Sequence, residues 1–271
     1  MFNPSPIWVV GGFVRDRFLA LPSKDIDFLL ECSSFDELIQ NVLHIDPTAD
    51  IRTTIDSNDA KFGRCIAGIN LNTLGWVKDT ALSTLRSGEY YSNLAQINVT
   101  KKIYCDFVIA REEGDYKDGR HPDYVKFSTV EKDLARRDFT INAIAINDKT
   151  GEILDPHEGL KSLACRKLVT VRDPYTTFSE HAIRILRCLR LSLTKDLAID
   201  NDIWYDLDDH SSYYRSLLMS NIFTNSIMSE LAKMYKFNTI ATNEILDRLP
   251  LPIKEGIFSS IWLKPTNEKR Y

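Results

Sequence analysis

The chain has no apolar run approaching the ~20 residues that a membrane-spanning helix requires. Its first residues, "MFNPSP", offer neither the charged start nor the apolar core of a secretion signal, so a cytoplasmic protein is expected. Cysteine is sparse and odd in number: Cys32, Cys65, Cys105, Cys165 and Cys188 are scattered and lack C-x-x-C spacing. That excludes a disulfide framework and a zinc knuckle and suits reduced thiols. The 5 histidines are equally dispersed, with no metal-ligand spacing. An overall positive charge is missing too. With a formal net charge of −4, a polyanion must be held by local patches such as "ARRDF" and "RILRCLRL". Internal repeats and low-complexity segments are absent.

What remains is an ordinary globular composition, 44% hydrophobic and 27% charged, in 271 residues. "IWVV" (7–10) reads as a strand, broken by Gly11-Gly12, and "FVRDRFLAL" as a short helix ending before Pro22. "DIDFLLE" is the next strand, and "SSFDELIQNVLHI" a Ser-capped helix. Residues 51–99 read as loops with a strand or two. "KIYCDFVIA" (102–110) is a strand by β-propensity, followed by "REEGDYKDGRHPDYV" as a polar loop. Helices are expected from Thr129 to Ile146 and from Phe178 to Leu193, with turns in "NDKTGEILDPHEGL" between them. Beyond Asp200 the chain reads as helical, and Trp204, Tyr205, Tyr213, Tyr214 and Phe223 are expected to build a small core. The plan is a mixed α/β head (1–127), a helical neck (128–196) and a small helical body (197–271).

In "SKDIDFLL", Asp25 and Asp27 stand two positions apart in a segment that otherwise reads as buried strand. Alternation along a strand puts both on one side, about 6–7 Å apart. At an effective dielectric near 20 their repulsion costs about 2–3 kcal/mol. Divalent metal resolves the conflict. Mg²⁺ prefers a few carboxylates plus phosphate oxygens to a complete protein cage. Two such ions about 4 Å apart can clamp the attacking and leaving oxygens of a nucleotidyl displacement. Gly11 and Gly12 let backbone N–H groups and a helix N-terminus approach a triphosphate. Arg15 and Lys24 are candidates to counter its charge, and Asp106, on the other strong strand, is the natural third carboxylate or an orienter of Arg111.

"GGFVRD" with "DID" resembles the signature of class II template-independent nucleotidyltransferases, the bacterial-type CCA-adding tRNA nucleotidyltransferases and poly(A) polymerases. The resemblance continues in order through "DFVIAR" (106–111), "DLARRDFTINAIAI" (133–146), "LDPHEGLKSL" (154–163) and "FSEHAIRILRCLRL" (178–191). It implies an α/β nucleotidyltransferase head followed by an all-helical neck and a small helical body. Carried over by position, it implies that Asp25 and Asp27, with Asp106, hold catalytic Mg²⁺. It also implies that Gly11, Gly12, Arg15, Asp16, Lys24 and Arg111 meet the nucleotide. Arg137, Asp138 and Asn142 would handle sugar and triphosphate, the last two expected one helical turn apart on one face.

In "EHAIRILR", Glu180, Arg184 and Arg187 match the family's base-reading pattern, whereas His181 stands where the family has Asp. A neutral imidazole offers a single acceptor nitrogen, so selection of C and A over U and G is expected to be looser, or shared with a neighbour such as Glu180. The resemblance implies addition or repair of the 3′-terminal CCA of tRNA from CTP and ATP. The implied partner is the tRNA 3′ end and acceptor arm, with no membrane and no obligate protein partner. Partial (CC or A) addition and poly(A) synthesis share these motifs. A non-catalytic RNA-binding or toxin-like remnant is the alternative from another class.

Overall fold

A computed structural model of the chain describes residues 3–23, 25–53, 57–80, 102–116, 122–220 and 222–259. Lys24 and residues 81–99 of the mixed stretch therefore lie outside the described residues. Contacts divide the chain into two compact units, residues 1–113 with 125–163 and residues 114–124 with 164–271.

The first unit is built on a seven-stranded sheet. Its strands are β1 (Ile7–Val10), β2 (Asp27–Leu30), β3 (Asp50–Ile51), β4 (Arg64–Asn70), β5 (Lys102–Ile109), β8 (Ala145–Asn147) and β9 (Ile153–Leu154). Their order across the sheet is β3-β4-β5-β2-β1-β8-β9. Only the β2–β5 pair is parallel; the other neighbours are antiparallel. In β2, Phe28, Leu29 and Leu30 are buried on both faces, whereas β5 alternates, with Ile103, Cys105, Phe107 and Ile109 buried and Tyr104, Asp106 and Val108 on the more open face. Phe28 stacks on its in-register partner Phe107, ring centres 4.9 Å apart, and neither is exposed to solvent. Helix α1 (Gly12–Phe18) leaves β1 directly. Helix α2 (Phe35–Ile45) is capped by Ser34, whose hydroxyl accepts the Glu37 N–H, while the Glu37 carboxylate takes the Ser33 N–H at 2.8 Å. This is a capping box shifted by one residue. Helices α3 (Asn58–Lys61) and α4 (described over 76–80) flank β4 in sequence. The Asp148 carboxylate accepts the Gly75 and Val77 N–H groups where α4 begins.

Three sequence expectations change here. The two ends of the polar loop after β5 are strands, β6 (Arg111–Glu113) pairing antiparallel with β7 (Val125–Phe127). The helix expected over 129–146 stops early. Helix α5 covers Val130–Ala135, a 3₁₀ turn covers Thr140–Asn142, and "AIN" (145–147) joins the sheet beside β1. Phe139, Ile141, Ala143, Ile144 and Ala145 are all fully buried, and one helix face could not bury such a continuous run. The helix expected over 178–193 is two: α7 (Pro174–Glu180) and α8 (Ile183–Lys195), separated at His181–Ala182.

Among the described residues, the regular elements of the second unit are helices apart from the two-residue parallel pair β10 (Lys167–Leu168) and β11 (Ala198–Ile199). Helices α9 (Asn201–Asp209), α10 (Ser211–Ser220), α11 (Thr224–Phe237), α12 (Thr239–Asp247) and α13 (Leu251–Phe258) follow α8. Buried Glu230 on α11 pairs with Arg190 on α8, and Gly256 lets α13 approach the backbone of α10 at Arg215. The aromatic core expected in this region is smaller than the sequence suggested. Tyr214 is fully buried because Asp206 accepts its hydroxyl at 2.7 Å, whereas Tyr205, Tyr213 and Phe223 are exposed. No helix among the described residues is long and apolar enough to cross a membrane.

Candidate active site

The end of β1 decides where the first unit can do chemistry. Gly11 adopts φ +72°, a conformation costly for residues with a Cβ, and caps the N-terminus of α1. A Cβ built on Gly11 would lie 3.5 Å from Arg137 Nη1 and 3.6 Å from Asp27 Oδ2. The glycine turn thus opens directly onto one carboxylate and one guanidinium.

Asp27 begins β2 and stands in register with Asp106 of β5. In-register residues of a parallel pair project to the same face, so two acids from distant segments meet there. Burial, then the Asp106 charge and that of Asp25, push the Asp27 carboxyl above its ordinary range, against the pull of Arg137 and Arg64. Asp25 lies in irregular backbone ahead of β2 and is exposed, so the expected strand starts two residues late and the Asp25–Asp27 alternation does not apply. Asp106 is held by Arg64, whose Nε and Nη2 both donate to Oδ1, at 3.0 and 2.9 Å. Arg111 is not its partner: Arg111 Nη2 pairs with Glu113 at 2.8 Å.

The remaining sequence candidates of this unit form a connected network. Arg15 is buried; its Nε donates to Asp16 Oδ1 and its Nη1 to Asn142 Oδ1, both at 2.8 Å. Asn142 Nδ2 donates to Asp138 Oδ1 at 2.9 Å. Asp138 and Asn142 therefore do meet, through a 3₁₀ turn rather than a helix. Gly12 lies against Arg15: a Cβ there would be 3.5 Å from Nη2. Arg15 and Asp16 hold the turn in place, with most of their hydrogen-bonding capacity committed to protein.

Sequence reasoning missed the centre of the arginine cluster. Asp133 is fully buried. Its Oδ2 pairs with Arg136 Nη2 at 2.6 Å, its Oδ1 with Arg137 Nη2 at 3.2 Å, and it accepts the Arg111 N–H at 3.3 Å. Despite burial, these partners hold its carboxyl below the usual range. Arg137 also donates from Nη1 to the Asn142 carbonyl at 2.9 Å. The signal was present as i, i+3 and i, i+4 spacing in "DLARR". Arg64 had no local signal, because its partner is on another strand.

In the second unit, Glu180 sits at the end of α7. Arg172 Nη1 donates to it at 2.6 Å and Arg184 Nη1 at 3.0 Å, so neither carboxylate oxygen is unclaimed. His181 is extended (φ −156°, ψ 94°) and ends α7, while Arg184 and Arg187 lie on α8. Arg172 was the support not foreseen.

The donors at Asp27 and Asp106 are hard oxygens, and the Asp27 carboxylate is crowded by burial and by the Asp106 charge, which fits a divalent cation. Among the described residues, no three His, Cys, Asp or Glu side chains group as a ready-made cation site, so the remaining ligands would come from phosphate and water. A cavity of about 560 Å³ lies at the other end of β1, lined by residues including Ile7, His44, Leu74 and Lys149, and touches none of these acids.

The poly A polymerase head domain model matches residues 7–169. The chain belongs to this family. Among curated relatives, the CCA-adding enzyme of Lactococcus lactis subsp. lactis (strain IL1403) is 32% identical over 170 residues, covering 61% of this chain and 42% of that protein. The CCA-adding enzyme of Ligilactobacillus salivarius (strain UCC118) is 28% identical over 227 residues, 83% of this chain and 46% of that one. The chain thus spans less than half the length of these relatives. Among solved structures, the Bacillus stearothermophilus CCA-adding enzyme in complex with CTP aligns over 94% of this chain and 52% of its own, with TM-score 0.61 and 22% identity. The Thermotoga maritima CCA-adding enzyme aligns over 96% and 50%, with TM-score 0.62 and 21% identity. The fold is therefore that of a nucleotidyltransferase head followed by helices, and the Gly11 turn, Asp27, Asp106 and the Asp133 cluster all lie in the poly A polymerase head domain.

Proposed function

We propose that this chain is a template-independent nucleotidyltransferase that adds or repairs the 3′-terminal CCA of tRNA, using CTP and ATP. The observation that carries the reading is the in-register Asp27–Asp106 pair beside the Gly11 turn and the Arg137 guanidinium. The names of the relatives, CCA-adding enzymes, supply the substrate class.

Asp27 and Asp106, with Asp25 reaching in from the segment before β2, would hold Mg²⁺. When bound, the metal supplies charge for the α-phosphate and acidifies the attacking hydroxyl. The backbone at Gly11 and Gly12 faces the triphosphate without side-chain obstruction, and Arg137 stands where negative charge accumulates on it. Arg15, Asp16, Asp138 and Asn142 fix the turn against the 3₁₀ segment, holding the nucleotide's sugar at a set distance from Asp27. The 3′-hydroxyl of the RNA attacks the α-phosphorus, the bond to the bridging oxygen breaks, and pyrophosphate leaves. The family resemblance assigns base recognition to Arg184 and Arg187 of α8. Glu180, occupied by Arg172 and Arg184, orients Arg184 in place of the acid that His181 replaces.

The experiment is incorporation of labelled CTP and ATP into tRNAs lacking one, two or three 3′-terminal nucleotides, with the protein and its Asp27→Ala variant. CCA-length products from the parent and none from the variant are expected. A homopolymer tail or a stop at CC would favour the poly(A) or partial-adding reading. RNA binding with no incorporation of any nucleotide would favour a non-catalytic remnant.

A further inference from the structure

The register of β3, β4 and β5 sets Asp50, Gly68 and Tyr104 in one row across the sheet. The next row on the same face, ~7 Å along the strands, runs through Ile66, Asp106 and Asp27. Gly68 lets the Tyr104 ring cross β4, since a Cβ there would come within 2.9 Å of Tyr104 Cε1. The Tyr104 hydroxyl then donates to Asp50 Oδ2 at 2.6 Å. Arg52 lays its guanidinium over the ring, 3.6 Å from the ring centre, with its Nε 3.4 Å from the same Asp50 oxygen. All three side chains are exposed, beside the acids of the candidate active site.

We propose that Arg52 and Tyr104 form a stacking platform for the last bases of the RNA, and so position its 3′-hydroxyl at Asp106. The inference rests on the nucleotidyltransferase reading above and deepens it. An in-line displacement puts the attacking and leaving oxygens on opposite sides of the α-phosphorus. In the strand order β3-β4-β5-β2-β1, the Gly11 turn at the end of β1 stands on one side of Asp27 and Asp106. With the triphosphate at that turn, the RNA end has to arrive from the other side, over β5 and β4. There the open face carries a guanidinium backed by an aromatic ring. Held flat in this way, a guanidinium offers its outer face to a nucleobase, and such stacking tolerates any sequence. Lys102, two positions before Tyr104 on the same face, adds positive charge for the RNA backbone. Asp50 is already engaged by Tyr104 and Arg52.

The test separates the two substrates. Transfer of CMP to tRNA lacking its last nucleotides is measured for the parent and four variants. Arg52→Ala and Tyr104→Leu should raise the KM for tRNA roughly tenfold and leave the KM for CTP within about twofold of the parent. Arg52→Lys, which keeps the charge but not the plane, should resemble Arg52→Ala, whereas Tyr104→Phe, which keeps the ring, should resemble the parent. Without CTP, 2-aminopurine at the penultimate position of the RNA should be quenched on binding the parent or Tyr104→Phe and stay bright with Tyr104→Leu. The side chains are exposed, so the variants are expected to fold, and thermal unfolding checks this. An unchanged KM for tRNA in Arg52→Ala and Tyr104→Leu, or an equal rise in the KM for CTP, would overturn the proposal and leave the nucleotidyltransferase reading intact. Parental behaviour of Arg52→Lys would overturn stacking in favour of charge alone. A parent that transfers no nucleotide to any trimmed tRNA would sink the nucleotidyltransferase reading, and the proposal with it.

Discussion

Arg15 and Asn142 are joined side chain to side chain, Nη1 to Oδ1 at 2.8 Å, although 127 positions separate them. The bond ties the glycine turn and α1 to the 3₁₀ turn that precedes β8. Both residues are buried, so neither group would find water if its partner were removed.

Asn142→Ala is therefore expected to destabilise the protein by about 2–3 kcal/mol, since it strips one partner from a buried guanidinium and another from Asp138. Urea unfolding of parent and variant measures this. CTP affinity should fall as well, because the turn loses its anchor. An unchanged unfolding midpoint would show that the network does not hold the turn.

Asp133 makes a pH prediction with a definite sign. Its carboxyl is depressed in the folded protein by Arg137 and Arg136, so the unfolded chain binds the extra proton first as pH falls. The stabilisation is fully present above the ordinary aspartate value near 4 and is lost as pH drops through the lower, folded value. Asp133→Asn should flatten that acid limb in unfolding free energy measured from pH 7 to pH 3. Asp133→Ala should cost about 3–5 kcal/mol at pH 7, because it takes the shared buried carboxylate from both arginines, leaving Arg136 with Glu113 and Arg137 with the Asn142 carbonyl.

How much of this was legible in the sequence follows from how local each signal is. "IWVV" and "KIYCDFVI" declared themselves as strands because β-branched and aromatic residues crowd them, and the Gly11 turn was readable because two glycines interrupt an apolar run. Asp27 and Asp106 were each legible as candidates, Asp106 as a third carboxylate beside the Asp25–Asp27 pair, but the register that matches Asp27 with Asp106 was not, since it depends on a parallel pairing between segments far apart. "NAIAI" misled for a related reason: a short apolar run fits a buried helix and a buried strand equally well, and the decision lies with β1, which it pairs. The partners Arg64 and Arg172 left no trace in sequence spacing at all, because each acts across elements.

Gly11→Ala separates strain from crowding. At φ +72°, ψ −136°, a conformation outside the left-handed α region, an added Cβ costs about 1–3 kcal/mol of backbone strain, yet it would meet Arg137 and Asp27 only at ordinary contact distance. The variant should fold with a stability loss of that size in urea unfolding. It should also bind CTP more weakly, since the methyl group stands where phosphate oxygens would approach Asp27. Undiminished CTP binding, read by equilibrium dialysis, would place the triphosphate elsewhere.

Asp27 is expected to show the opposite balance, function held at the expense of stability. Its carboxyl is raised by burial and by the charges of Asp106 and Asp25. In the folded protein it keeps its proton to a higher pH than in the unfolded chain, so stability declines as pH climbs from the ordinary aspartate value through the raised one. At neutral pH the ionised group is therefore a net liability in the metal-free protein. Asp27→Asn removes that charge while keeping the shape, so without divalent metal it should melt at a higher temperature than the parent at pH 7.5. Near pH 3 the two should converge, the parent then being protonated in both states. Millimolar Mg²⁺ should raise the melting temperature of the parent and leave the variant unmoved, because binding to the folded state alone stabilises it in proportion to occupancy. The same variant should transfer no CMP to tRNA. A variant that melts lower than the parent without metal would mean that the Asp27 carboxylate is already neutralised by Arg137 and Arg64, leaving no unpaired charge for a cation to meet.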